Sequence, residues 1–255
     1  MLSVYPGAWI GEVAASGGRL STAAVETVTQ HSERVWCSTA ATRLVVLVLH
    51  GGAETGLRPV RPWRLAYLRM VLLSWRCRQG CRSDGVELRL LRNRVRGWNA
   101  PYEDPVVDAR AALRRIHRER PGVPIAVVGH SMGGRVALRI ADDAAVVAVC
   151  ALAPWAPPEL PSTPVTGRAV LIGHGTLDVT TSPSASYCYA SRAGSCASCV
   201  TRVEVSRSGH AMVRRMRVWH RLVTEFILRT AGARSCANEN CSAVRDGGGR
   251  LRLRV

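Results

Sequence analysis

The sequence predicts an α/β protein, a three-layer α/β/α sandwich on a mostly parallel sheet. Three observations predict it. From residue 44 onward, short runs rich in valine, leucine and isoleucine alternate with longer stretches of helical character. Several runs, LVVLVL above all, are apolar throughout, as strands covered on both faces must be. Helical stretches fall between successive runs, which is the pattern of parallel strands joined by right-handed crossovers.

The elements follow in order. Within residues 1–42, VETVT and RVWCS are candidate strands for an antiparallel edge. The expected buried strands are 44–49 (LVVLVL), 86–91 (VELRLL), 125–128 (IAVV), 146–152 (VVAVCAL) and 169–172 (AVLI). The segment 201–205 (TRVEV) alternates, as an edge strand does. A first helix is expected over about 62–78. A second begins at Asp104-Pro105, with aspartate as N-cap and proline at the first helical position, and stops before Pro121-Gly122. A third follows Ser131 and a fourth begins near Pro183. The last, 211–230, places Met212, Met216, Trp219, Val223, Phe226 and Ile227 on one stripe with arginines opposite. After Gly232 the chain is polar and glycine-rich without periodicity. The expected division is an N-terminal segment (1–42), one α/β domain (43–230) and a flexible basic tail (231–255).

Composition sets outer limits. The chain has 255 residues, enough for one large domain with a sizeable core, and its apolar share of 47% argues against general disorder. The formal charge is +17, carried by arginine without a single lysine. The arginines are scattered over helices and tails, so the charge supports non-specific attraction to polyanions rather than specific nucleic-acid recognition. The opening stretch lacks the basic region and continuous apolar core of a signal peptide, and no run approaches the length of a membrane span. The nine cysteines are irregularly spaced. Cys196-x2-Cys199 and Cys236-x4-Cys241 have the form of a zinc site but lack a histidine at ligand spacing, so no metal is expected, and buried or free thiols in a reduced, cytoplasmic setting are.

Chemistry concentrates around Ser131. Gly129-His130-Ser131-Met132-Gly133 matches G-x-S-x-G between an expected strand and an expected helix. The glycines let strand and helix approach closely, so that the serine is lifted out on a tight turn and the Met132 N–H sits at a helix N-terminus, where developing negative charge is stabilised. A serine hydroxyl needs a base. Of the histidines downstream, His174 ends a strand and His220 lies within the last helix. His210 lies on the loop between the TRVEV strand and that helix, beside Gly209, and is the candidate base. Asp178, in GHGTLD past the AVLI strand, is the carboxylate placed to orient it; the other reading is a turn or cap aspartate before Pro183. The second oxyanion donor is expected from His50-Gly51-Gly52-Ala53 after the LVVLVL strand, with Gly52 the candidate and Ala53 the fallback. His50 and Trp155 are candidate substrate contacts. Trp155 reads equally as a packed loop tryptophan.

Taken together, HGG after a buried strand, GHSMGG at a strand-to-helix turn, HGTLD and GH before the last helix resemble the α/β-hydrolase superfamily over roughly residues 43–230. Within it the chain is similar to small bacterial esterase- or lipase-like hydrolases of the dienelactone-hydrolase and haloperoxidase kind. The resemblance implies an eight-stranded sheet with its second strand antiparallel, a Ser131-His210-Asp178 triad, and hydrolysis of carboxylic esters or thioesters through an acyl-enzyme without metal or organic cofactor. The stretch APWAPPELPSTPVTG, where many members carry a helical cap, is short and proline-rich, so a minimal or absent cap is expected. An acyltransferase or peptidase would use the same triad. A non-catalytic binding protein of this fold is the remaining alternative, one that usually loses a triad member.

Overall fold

The computed structural model describes residues 32–232. The candidate strand VETVT and the expected tail from residue 233 lie outside the described residues. Within them the order is β1 (Ser32–Trp36), β2 (Leu44–Leu49), α1 (Leu65–Gly80), β3 (Val86–Arg92), α2 (Asp104–Glu119), β4 (Ile125–His130), α3 (Met132–Arg139), β5 (Val146–Leu152), β6 (Ala169–Gly175), α4 (Pro183–Ala193), β7 (Cys199–Val205) and α5 (Met216–Thr230).

The described strands form one seven-stranded sheet in the order β1-β3-β2-β4-β5-β6-β7. Every neighbouring pair is parallel except β1 with β3. The eight strands that the resemblance implied are therefore seven among the described residues, and the antiparallel one lies at the edge. Strand alternation divides the core. Val45, Leu47 and Leu49 join Val127, Val149 and Ile172 beneath α2, α3 and α4. Leu44, Val46 and Val48 join Val128, Cys150 and Leu171 beneath α1 and α5. Burial on both faces is why LVVLVL has no polar alternate.

β3 departs from that uniformity. Its Glu87 and Arg89 share one face and are almost wholly buried. Glu87 pairs with Arg89 at 2.5 Å and with Arg120 at 2.8 Å, while Arg89 also reaches Glu119 at 2.5 Å. Glu33 on β1 pairs with Arg115 on α2. The edge strand and α2 are thus tied to the sheet by charge as well as by packing.

Two helix starts differ from expectation. Glu103, in the left-handed region at φ 49°, caps α2, and Asp104 is its first helical residue. Asp104 instead accepts from Asn99 at 2.8 Å and steadies the preceding loop. The last helix begins at Met216 rather than 211, because Met212 (φ 57°) and Arg215 (φ 61°) interrupt helical geometry. Met212 still buries its side chain, which is why its spacing looked helical.

Candidate active site

Parallel strands present their carboxyl ends on one edge, and the four key loops leave from it: Gly51-Gly52 after β2, Ser131 after β4, Asp178 after β6 and His210 after β7. Ser131 occupies φ 58°, ψ −120°, a conformation that a side chain rarely adopts. Such strain costs on the order of 1–3 kcal/mol and persists only where neighbours over-determine it. Here the Ser131 N–H donates to the Leu152 carbonyl at 2.9 Å, and its own carbonyl accepts from Gly134 at 3.0 Å and Trp155 at 3.1 Å. Gly133 allows α3 to enter directly beneath the turn: a Cβ there would stand 2.5 Å from the Leu49 carbonyl oxygen and 2.7 Å from that of His50. Gly129 is required likewise, since its Cβ would overlap the Gly133 carbonyl.

The three expected residues meet. His210 Nε2 lies 3.0 Å from Ser131 Oγ, and His210 Nδ1 lies 2.9 Å from Asp178 Oδ2. The carboxylate accepts from Nδ1–H, which leaves Nε2 as an acceptor for the serine proton. Asp178 is itself held. Its Oδ1 accepts from the Thr180 N–H (2.8 Å) and the Thr181 N–H (3.0 Å). Burial alone would raise its pKa, but the Thr181 amide, His210 and the Thr180 amide outweigh it, so the carboxyl stays below the usual range.

Sequence reasoning missed several supporting residues. His130, within the pentapeptide itself, is fully buried and donates from Nε2 to the His210 carbonyl at 2.9 Å. Burial and repulsion from His210 lower its pKa to about 3, so it stays neutral. Thr181 Oγ1 sits 3.0 Å from Asp178 Oδ2 and 3.2 Å from His210 Nδ1. His174, also buried, reaches the same Asp178 oxygen at 3.2 Å. Trp219, expected only as helix core, donates from its indole to Ser208 Oγ at 2.9 Å and so pins the loop that carries His210. Each contact joins residues far apart in the chain or depends on loop geometry, which leaves no periodic signal.

The loop after β2 is equally specific. Gly52 has no room for a side chain, whose Cβ would meet the Met132 side chain and the Arg96 carbonyl. The Ala53 N–H is already given to the Arg96 carbonyl at 2.9 Å, so the fallback donor is excluded. Gly51 lies against Ser131, with a Cβ position 3.2 Å from that of the serine.

The two candidate substrate contacts divide. His50 is buried, its Nδ1 donates to the Gly51 carbonyl at 2.7 Å, and its Nε2 accepts from the Asn93 N–H at 3.1 Å. Burial drops its pKa to about 4. With both ring nitrogens engaged it braces the loop, and the expectation that it touches substrate is corrected. Trp155 is partly exposed beside the Ser131 turn. Its ring lies 4.3 Å from the Arg135 guanidinium, which also sits 3.8 Å from the Trp98 ring, and the two indoles meet edge-to-face with centroids 6.0 Å apart. Residues 153–168, between β5 and β6, hold only a three-residue 3-10 turn, Thr163–Val165, and no cap.

Among the described residues no group of three or more His, Cys, Asp and Glu side chains is placed to hold a metal. Cys199 is disulfide-bonded rather than a thiol, while Cys196 is free and its thiol lies 3.3 Å from the Ser162 carbonyl.

Comparison with solved structures accords with this fold. An α/β serine hydrolase homologue from Coxiella burnetii is 15% identical with a TM-score of 0.60, covering 76% of this chain and 90% of its own. The chain has the α/β-hydrolase fold. A lid-less α/β serine hydrolase from Xanthomonas campestris is 17% identical at TM-score 0.56, with 78% of this chain and 88% of that chain covered. A monoacylglycerol lipase from Paleococcus ferrophilus is 15% identical at TM-score 0.56, covering 79% and 99%. The family model for serine aminopeptidase, S33, matches residues 91–170, which include Ser131 but neither Asp178 nor His210. No curated protein matches the sequence.

Proposed function

We propose that this protein cleaves carboxylic esters or thioesters through an acyl-enzyme on Ser131. The observation that carries the reading is the continuous hydrogen-bonded line from Ser131 Oγ through His210 to Asp178 Oδ2. Ser131 Oγ adds to the carbonyl carbon as its proton passes to His210 Nε2. The Gly52 and Met132 N–H groups receive the oxyanion, and neither has a partner among the described residues. Collapse breaks the bond to the leaving oxygen or sulfur, and His210 returns the proton to the alcohol or thiol. Water then repeats the sequence and releases the acid. Asp178 orients His210 and stabilises the imidazolium throughout.

A fluorophosphonate probe should label the wild type and not Ser131→Ala, and p-nitrophenyl acetate turnover should fall by roughly 10⁴-fold or more in Ser131→Ala and His210→Ala. A wild type that neither labels nor turns over any short ester refutes the reading. Peptidase activity is a second reading, favoured by the family model at residues 91–170. Aminoacyl p-nitroanilides separate it from esterase activity, and acyl transfer to added alcohols separates a transferase from a hydrolase.

A further inference from the structure

We propose that the protein docks on an anionic lipid bilayer through the segment following Gly52 and the outer stripe of α1, and draws its ester substrates from that surface. The second half rests on Ser131 being the esterase nucleophile; the docking does not.

The segment GAETGLRPVRPWRL after Gly51 puts large apolar side chains into solvent. Leu57 is 76% exposed, Trp63 67% and Leu65 77%. Leu65 begins α1, and Leu68, Leu72 and Trp75 continue at helical spacing along its outer side, all exposed. The inner side buries Tyr67, Met70, Leu73 and Cys77 in the core. Single exposed apolar residues are ordinary, but a stripe of four prolonged by Leu57 and Trp63 is not.

Arginines interleave with it. Arg58, Arg61 and Arg64 come from the same segment, and Arg96 joins them, its N–H donating to the Arg58 carbonyl at 3.1 Å. Among the described residues no carboxylate pairs with any of the four, and Arg96 Nε is buried without a partner. Desolvation together with the charges of Arg64, Arg58 and Arg61 pulls the Arg96 guanidinium below its usual value. Arg61 lies over Trp63 at 5.8 Å and Arg76 over Trp75 at 4.9 Å, so cation and indole alternate at the surface. Glu54 is the one acid in the segment.

Uncompensated arginines ask for an external anion, and exposed leucines and tryptophans ask for hydrocarbon. An anionic bilayer meets both demands: guanidinium groups reach lipid phosphates, and tryptophan settles at the headgroup boundary. Nucleic acid would meet the first demand and leave the leucines in water. A two-fold dimer would set arginine against arginine. The sequence after residue 233 adds five more arginines against two acids and is no counter-charge. The patch also adjoins the site: it begins beside Gly52, and the Ala53 N–H and carbonyl bond to Arg96 and Trp98 at 2.9 Å each.

Full-length protein is sedimented with vesicles of phosphatidylcholine alone and of phosphatidylcholine mixed with phosphatidylglycerol, at physiological salt. Binding is expected to the mixed vesicles only, with a blue shift of tryptophan emission that Trp63→Ser diminishes. Each arginine near such a surface contributes roughly a fivefold gain in partitioning, so Arg58→Gln/Arg61→Gln/Arg64→Gln should weaken binding about a hundredfold. Leu57→Ser/Leu65→Ser should weaken it too. Arg114→Gln/Arg118→Gln, on α2 across the sheet, should leave it intact. The patch variants should keep turnover of a soluble short ester and lose turnover of a vesicle-borne one. Ser131→Ala should bind as the wild type does, so a failed catalytic reading leaves the docking result standing. The proposal is overturned if the wild type ignores mixed vesicles, if the α2 variant loses as much binding as the patch variant, or if the patch serves only nucleic acid or self-association.

Discussion

The His130 imidazole holds the His210 backbone: Nε2 of the one donates to the carbonyl of the other at 2.9 Å, with ring centroids 4.8 Å apart. The residue before Ser131 therefore positions His210. His130→Phe keeps a ring but removes the donor, and the buried carbonyl left unpaired costs about 1–3 kcal/mol. We expect kcat to fall tenfold or more with KM little changed, and His130→Gln to restore part of it. Steady-state kinetics on a p-nitrophenyl ester decide; a fall in KM effects alone would contradict the assignment.

Asp178→Asn tests the other end of the line. The amide offers no negative charge to a developing imidazolium and admits the wrong tautomer of His210, a change that lowers kcat by about 10⁴-fold in comparable triads. Thr181→Val removes one donor from Asp178 and one neighbour from His210, and a smaller loss is expected. Equal losses in the two variants would mean that the hydroxyl matters as much as the carboxylate.

Stability should fall as the solution is acidified. His50 and His130 are neutral in the fold, with pKa values lowered to about 4 and about 3 from 6.5. The unfolded chain therefore binds protons first, and stability is lost as pH drops below 6.5 toward those folded values. Each histidine contributes roughly 2 kcal/mol of loss between pH 6.5 and 5. Asp178 adds to the same trend at lower pH, since a depressed carboxyl loses its contribution as pH falls through its folded pKa. Urea midpoints at a series of pH values check this, and His50→Gln should flatten the slope.

Two adjacent glycines should behave differently. Gly133→Ala drives a methyl against two backbone carbonyls that cannot swing aside, so a loss of about 3 kcal/mol or more is expected, along with activity. At Gly134 the Cβ would meet Pro154 at 3.0 Å, a tight contact with part of a loop, and the helix gains roughly 1 kcal/mol from alanine. Gly134→Ala should therefore be milder, as thermal unfolding of the pair would reveal.

The buried charges on β3 allow a double-mutant cycle. Glu87→Gln leaves Arg89 and Arg120 short of a carboxylate and should cost about 3–5 kcal/mol, while Glu87→Leu with Arg89→Leu should cost much less. Denaturant unfolding of Glu87→Leu, Arg89→Leu and their double gives the coupling energy.

How much was legible in the sequence depended on whether the cause was local. Doubly buried strands announce themselves, so 44–49 and 146–152 coincide with β2 and β5. The residues of the line from Ser131 to Asp178 stood out because each had to leave the same sheet edge. The Met212 spacing misled, since burial on a turn mimics burial on a helix. His50 misled for a related reason: a histidine beside two glycines reads as a ligand contact until both its nitrogens are found engaged. The roles of His130, His174 and Thr181 arise from contacts across chain turns and had no sequence pattern to carry them.

Residues 153–168 return from the carboxyl end of β5 to the start of β6 along the α3 face, burying Ala156, Leu160 and Val165, and build no roof over Ser131. Under the proposed chemistry, the fate of an acyl group on Ser131 becomes a matter of competition in the surrounding solvent. Among the described residues this stretch sets no barrier that favours an alcohol or amine over water, and water outnumbers both. Partition between hydrolysis and transfer is then set by acceptor concentration and not by a chamber that selects one acceptor. Grafting a helical insert between β5 and β6 would be the direct way to hand that choice back to the protein.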